Sequence, residues 1–190
     1  MIIDQASLRN QAKYARASLS SDAKRKASEI IAEHVCASQN FSAAKNICCY
    51  VPMASEVDTW PIIRRAWAQN KRIFAPVVKK NFQMEFRELG ENSDLSAGKL
   101  GMSEPLGGKL AATDEFDFVL APLVAFDMKR NRIGMGGGYY DRAFAKNKLS
   151  AFDDALPIAG LAFDVQRVDE ITSNPWDIRL SQIFTETLQL

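Results

Sequence analysis

Four of the chain's ten glycines fall within five positions: Gly134, Gly136, Gly137 and Gly138, inside the segment APLVAFDMKRNRIGMGGGYYDR at residues 121–142. The apolar run before it, Phe116 to Ala121, reads as a buried strand, and Tyr139 to about Lys148 reads as a helix. The chain therefore passes from strand to helix through backbone nearly bare of side chains. Such backbone leaves N–H groups facing outward, and these bind phosphate oxygens. Arg132, with Lys129 and Arg130, adds positive charge beside the loop, and a guanidinium suits bidentate phosphate contact. The spacing is neither that of a Walker A loop nor G-x-G-x-x-G, whose final glycine, counted from Gly134, falls on Tyr139. A tight turn that packs the helix on the sheet needs the same glycines, so spacing alone leaves both readings open.

The rest of the chain reads as one α/β domain over residues 1–190. Residues 2 to 38 suggest two helices. The first carries a stripe of Leu8, Ala12, Ala15 and Leu19, a break and cap follow at Leu19–Asp22, and the second stripe is Ala27, Ile30 and Ile31. Asn46 to Pro52 and Arg72 to Val78 are apolar runs that read as buried strands. Between them lies a helix capped by Asp58 or Thr59, with Pro61 in its first turn and Trp60, Ile63 and Trp67 inward. That succession is a βαβ signature. Gln83 to Leu89 alternates like an exposed or edge strand. Residues 90 to 113, rich in glycine and small polar residues, read as a long, mostly irregular connection. Pro157 to Phe163 and Gln182 to Glu186 supply two more strands.

Composition excludes several classes. Hydrophobic residues at 47% and charged residues at 25% are those of a globular chain. A formal net charge of +1 lacks the basic excess of a general nucleic-acid binder. Three cysteines, with no C-x-x-C and one histidine, argue against a zinc site and for a reducing compartment. Cys48 and Cys49 are expected on opposite faces of one strand. The absence of any long apolar run points to a cytoplasmic protein acting on small molecules as a monomer, although Gln5 to Ser21, basic and free of acids, faintly resembles an organellar transit segment.

Two carboxylates complete the candidate site. Asp141 sits in the first turn after the glycine loop, where it either complements the helix dipole or shares a magnesium ion with a phosphate. The metal reading asks for a second carboxylate, from Asp127, Asp164 or Asp177. Glu56 follows a strand end, where open sheets bind ligands, and could accept hydrogen bonds from a heterocycle or simply favour helix entry. His34 belongs to the edge of a helical stripe. Without a histidine or Ser–His pair near the loop, phosphoryl transfer by positioning and charge neutralisation suits the site better than general-base hydrolysis.

The string RIGMGGGYYDR, preceded by APLVAFD, closely resembles the signature of the 5-formyltetrahydrofolate cyclo-ligase family. Weaker similarities occur in the family's order: Ser7-Leu8-Arg9 with Arg16, Glu56-Val57-Asp58-Thr59, Ala75-Pro76-Val77, Ser103-Glu104-Pro105, and Asp177 followed by Ile183-Phe184-Thr185-Glu186. The resemblance implies a three-layer α/β/α domain with a mostly parallel or mixed sheet and N-terminal helices. It implies ATP- and magnesium-dependent closure of 5-formyltetrahydrofolate to 5,10-methenyltetrahydrofolate through a phosphorylated formyl group. By the same resemblance, Gln5, Arg9, Arg132, Gly134, Met135, Gly136, Gly137, Gly138, Tyr139 and Tyr140 would bind the nucleotide. Val51 and Glu56, with both tyrosines, would bind the folate, and Arg132, Tyr139 and Tyr140 would border the reacting group. Asp141 and Asp177 would hold magnesium. Gln5 stands where some relatives have lysine, and Gly137 and Met135 where relatives often carry a basic or aromatic residue. A folate- or nucleotide-binding regulatory protein with little turnover is the alternative, and a phosphosugar isomerase or CoA-transferase-like enzyme a more distant one.

Overall fold

The computed structural model describes residues 4–98, 101–145 and 155–190. Two capped helices come first. α1 (Gln5–Ser18) starts at Asp4, whose carboxylate accepts from the amides of Ala6 and Ser7, and α2 (Ser21–Ala37) starts at Ser20, whose hydroxyl accepts from Ala23. The break between them is where the sequence puts it. Their buried faces differ from the expected stripes. α1 buries Leu8, Ala12 and Arg16, a row of i+4 steps, in place of Ala15 and Leu19. α2 buries Ala27, Ser28, Ile31, Ala32 and Val35, while Ile30 is 40% exposed. A short α3 (Gln39–Ala43), capped by Ser38, leads into the sheet.

The βαβ unit has the expected form. β1 (Asn46–Cys49) and β2 (Arg72–Val78) pair in parallel, with Ile47 opposite Ile73, across α4 (Trp60–Ala68). The inner face of α4 is Ile62, Ile63 and Ala66; Trp60 and Trp67 are only partly buried and pack at the margin. At its start the Asp58 carboxylate accepts from the Trp60 amide, while the Thr59 hydroxyl donates instead to the Tyr50 carbonyl.

Further along come β3 (Met84–Glu88), β4 (Leu95–Ala97), β5 (Ser103–Pro105), β6 (Leu110–Ala111), β7 (Phe118–Pro122), β8 (Ala125–Phe126) and β9 (Arg132–Ile133). After the short α5 (Tyr139–Ala143) follow β10 (Ile158–Leu161) and β11 (Gln182–Phe184). One seven-stranded sheet has the order β11-β10-β7-β1-β2-β3-β6. Its strands from β11 to β2 are parallel, and β3 and β6 add an antiparallel side. The described part of residues 90 to 113 is mostly irregular, as expected, but it also holds the short β4–β5 hairpin and the edge strand β6, which covers β3. These strands span only two or three residues, too few to display an apolar period. The glycine-dense stretch also contains a hairpin, β8–β9. The helix at Tyr139 is five residues in the described chain, and the expected extension toward Lys148 reaches positions outside it.

Alternation in the parallel strands divides the core. Ile47, Cys49, Ile73, Ala75, Phe118, Leu120, Ala159, Leu161 and Phe184 face α2 and α4. Cys48, Phe74, Val119, Ala121, Ile158 and Ile183 face the other way, toward Phe116, Phe144 and the C-terminal segment. The adjacent cysteines do lie on opposite faces, both fully buried. Each fully buried Ile or Phe side chain contributes about 1.5–3 kcal/mol, so the sheet is held from both sides. α1 stands apart, packed on β8 and the turn Asp164–Gln166 through Leu8, Ala12, Val124, Ala125, Ile133, Val168 and Ile171. Among the described residues, no helix is long and apolar enough to cross a membrane.

Candidate functional site

The parallel strands end along one edge of the sheet, where open α/β folds bind ligands. Two loops bring the candidate residues there: residues 50–59 after β1, and residues 127–138, which include β9 and the glycine run.

The second loop is built by Asp127. Its fully buried carboxylate accepts from the amides of Lys129, Asn131 and Ile171 and from Asn131 Nδ2, at 2.9 Å each. With these bonds made, Asp127 is a structural hub and not an open metal ligand. β9 then delivers Arg132, and the chain turns through Gly136 at φ +101° and Gly138 at φ +59°, conformations that favour glycine. Among the described residues, the amides of Gly134 to Gly138 have no hydrogen-bond acceptor. Consecutive unpaired, accessible amides make a concavity suited to anions. Arg9 reaches across from α1 and donates from Nε to the Gly134 carbonyl at 2.9 Å, with its guanidinium beside Gly136. Arg142 donates to the Gly137 carbonyl. Met135 is exposed on the loop, and Gln5, one turn before Arg9, donates to the Thr172 carbonyl at 2.8 Å.

Arg132 and Asp141 form an ion pair at 2.7 Å, with side chains 6% and 16% exposed. Arg132 Nε is buried without a partner among the described residues. Asp141 Oδ1 also accepts from the Ile178 amide at 3.0 Å, which ties the segment that follows Asp177 to α5. Asp177 Oδ2 is held by the Asn174 amide at 2.7 Å and by Asn174 Nδ2 at 3.2 Å. Each carboxylate thus keeps one oxygen without a hydrogen bond among the described residues. Among those residues, no three His, Cys, Asp or Glu side chains form a metal cage. Magnesium commonly uses one or two carboxylates and fills its octahedron with water and phosphate oxygens, and this donor set fits that habit. Asp164, the other candidate, accepts from the Thr187 hydroxyl at 2.6 Å.

The first loop makes a tight turn. The Glu56 amide donates to the Met53 carbonyl at 2.9 Å, and Glu56 Oε2 accepts from the Met53 amide at 3.0 Å. Burial pushes the Glu56 carboxyl above the usual carboxylate range, opposed by the Met53 amide and the charge of Arg16. Val51 lies buried at the strand end. Tyr140 joins the two loops electrostatically: burial drives its phenol well up, Glu56 pushes it further and Arg132 opposes. Its buried hydroxyl has no partner among the described residues. Tyr139 instead turns to Phe82, ring centroids 6.0 Å apart, with the Arg142 guanidinium over both rings.

The sequence reading names Arg16 only through the family resemblance, without a role at the Glu56 turn, and misses Ser55 and Tyr50, which also hold that turn. The available signal was a charged residue in the i+4 row of Leu8 and Ala12. His34, as expected, packs at an edge, where Nδ1 meets the Thr185 carbonyl at 3.0 Å. Burial raises both strand thiols, Cys49 to about 12, so neither is a ready nucleophile. A separate groove of 350 Å³ between β3 and β6 contains none of the candidate residues.

Comparison with known proteins bears on the family and the fold. The model of the 5-formyltetrahydrofolate cyclo-ligase family matches residues 2–186. The 5-formyltetrahydrofolate cyclo-ligase of Haemophilus influenzae is 31% identical over 181 residues, covering 93% of this chain and 94% of its own. The enzyme of the same name from Escherichia coli K12 is 32% identical over 149 residues, covering 75% and 78%. Among solved structures, the 5,10-methenyltetrahydrofolate synthetase of Aquifex aeolicus superposes with a TM-score of 0.81 at 26% identity, covering 97% of this chain and 91% of that one. The Mycoplasma pneumoniae synthetase shares the fold at 24% identity, with a TM-score of 0.76 and coverage of 97% and 99%. The chain belongs to the 5-formyltetrahydrofolate cyclo-ligase family.

Proposed function

We propose that this protein closes 5-formyltetrahydrofolate to 5,10-methenyltetrahydrofolate with consumption of ATP. The observation that carries the nucleotide half of this reading is the run of unpaired amides from Gly134 to Gly138, flanked by Arg9, Arg132 and Asp141.

The loop amides and Arg9 bind the nucleotide phosphates, and Arg132 turns from Asp141 to the transferred group. Asp141 and Asp177 would hold magnesium, which supplies neutralisation of phosphate charge. The formyl oxygen attacks the γ-phosphorus, an O–P bond forms, and the bond to ADP breaks. The resulting imidoyl phosphate is a better electrophile than the formamide. The substrate's own nitrogen on the p-aminobenzoate side then attacks the formyl carbon. A C–N bond forms, the C–O bond to phosphate breaks, and the nitrogen's proton passes to solvent. Since the substrate supplies the nucleophile, the protein's work is to place two ligands in line and shield the imidoyl phosphate from water. Glu56 accepts hydrogen bonds from the pterin, Val51 gives an apolar contact, and Tyr139 and Tyr140 stand over the reacting group.

The test is near-ultraviolet absorbance with 5-formyltetrahydrofolate, ATP and magnesium, because the methenyl product gains a conjugated chromophore. A rise that requires all three components is expected. Binding of either ligand by calorimetry without any rise would replace this reading by that of a regulatory binding protein.

A further inference from the structure

Arg16 occupies a position on α1 where its neighbours in the row, Leu8 and Ala12, are apolar and buried, and it is itself only 5% exposed. A charge taken this far out of water needs an opposite charge. Its one hydrogen bond among the described residues is from Nη2 to the Ser55 hydroxyl at 3.1 Å, which carries no charge to answer it. The charge that answers is the next residue, Glu56, whose carboxylate is the main group favouring the arginine cation against burial. The turn is held from other sides too: Asp58 donates its amide to Ser28 Oγ on α2 at 3.0 Å, and Tyr50 donates its hydroxyl to the Val57 carbonyl at 3.3 Å.

We infer that Arg16 is the positioning residue of the folate site: from beneath the turn it clamps Ser55 and keeps the adjacent Glu56 carboxylate ionised as an acceptor for the N–H groups of a pterin ring. Arg16 touches no substrate in this scheme and acts only through Glu56. The inference rests on the assignment of Glu56 to the folate. Three elements bring titratable groups to face Glu56: Arg16 from α1, Tyr50 at the end of β1, and Tyr140 from α5. Burial lifts both phenols well above the ordinary tyrosine value, so they stay neutral and Arg16 is the only cation of the set. Loss of its charge moves the Glu56 carboxyl further in the direction burial already drives it. The ionised fraction at a given pH then falls, and folate binding weakens as pH is lowered.

Two readouts decide this in wild type, Arg16→Met, Arg16→Lys, Ser55→Ala and Glu56→Gln. The first is a side-chain carboxyl ¹³C NMR titration of Glu56 in the ligand-free protein. The second is kcat and the two Michaelis constants between about pH 6 and 9. Arg16→Met is expected to move the Glu56 midpoint to higher pH. It is also expected to make the folate KM rise with falling pH, approaching about tenfold per pH unit below that midpoint. The ATP KM should stay within about twofold of wild type. Arg16→Lys, which keeps the charge, should restore the wild-type profile, and Ser55→Ala, which removes only the hydrogen bond, should retain it. An unmoved Glu56 midpoint in Arg16→Met would overturn the inference, as would a loss equal at every pH that lysine fails to repair. If Arg16→Met does not fold, a pH-dependent folate loss in Ser55→Ala would overturn it equally. If Glu56→Gln leaves folate binding unchanged, the folate assignment falls, while the ligand-free titration still decides whether Arg16 holds Glu56.

Discussion

Asp141→Ala perturbs the fold before it perturbs chemistry. Asp141 Oδ1 takes hydrogen bonds from Arg132 Nη2 at 2.7 Å and from the Ile178 amide at 3.0 Å. Truncation strands a guanidinium that is 6% exposed and frees a backbone amide in the same place. Breaking a buried pair from one side costs about 3–5 kcal/mol, and partial access of water to Asp141 lowers the expected cost to about 2–4 kcal/mol. With a urea slope of about 2 kcal/mol/M, the unfolding midpoint falls by roughly 1–2 M. Adding Arg132→Met removes the stranded charge, so the double variant should be about 1–2 kcal/mol more stable than the sum of the singles implies. Urea titration followed by tryptophan fluorescence on the four proteins measures this. A coupling below about 0.5 kcal/mol would refute the reasoning and mean that water already solvates Arg132. Asp141→Asn keeps an acceptor for Ile178 and loses only the charge, so it is the better variant for testing magnesium-dependent turnover.

Glu56→Gln should weaken folate binding more than ATP binding; equal effects on both would remove Glu56 from the pterin. Its effect on stability has a definite sign: the raised carboxyl of folded Glu56 contributes stability below its unfolded-state value and loses it as pH rises through the folded value. Urea titrations at about pH 5 and pH 8 should therefore show the glutamine variant faring relatively better at the higher pH, and the reverse order would contradict the assignment. Asp127→Ala leaves four donors without their acceptor and should cost about 3–5 kcal/mol in thermal or urea unfolding. A loss under about 1 kcal/mol would show that water takes the place of the carboxylate.

What was legible in the sequence follows from what each element needs. β2 spans the residues its apolar run marks, because a strand buried on both faces must be apolar throughout. β4, β5 and β6 left no such mark: they span two or three residues each, and their backbone pairing leaves no signature in the side chains. The glycine loop was legible as a loop, but the conformational demand is visible only at Gly136 and Gly138, where φ is positive. Asp127 and Asp177 look alike in the sequence. Only the structure shows four donors on the first and two on one oxygen of the second. Arg16 was legible as part of a basic first helix, but its burial and partners were not: Ala15 and Leu19 offered a plausible helical stripe, and partners 39 and 40 residues away along the chain do not reveal themselves by period.

The docking of α1 has a consequence for how the protein is made. Helix α1 is translated well before the surfaces it packs against, β8 (Ala125–Phe126) and the turn Asp164–Gln166. A nascent chain on the ribosome can pair β1 with β2 and β3 early, while α1 has nowhere to settle. Arg9 therefore reaches Gly134, and Arg16 comes to rest under Ser55, only once the C-terminal segment has emerged. A prematurely terminated polypeptide would carry the turn around Glu56 without the helix that supports it.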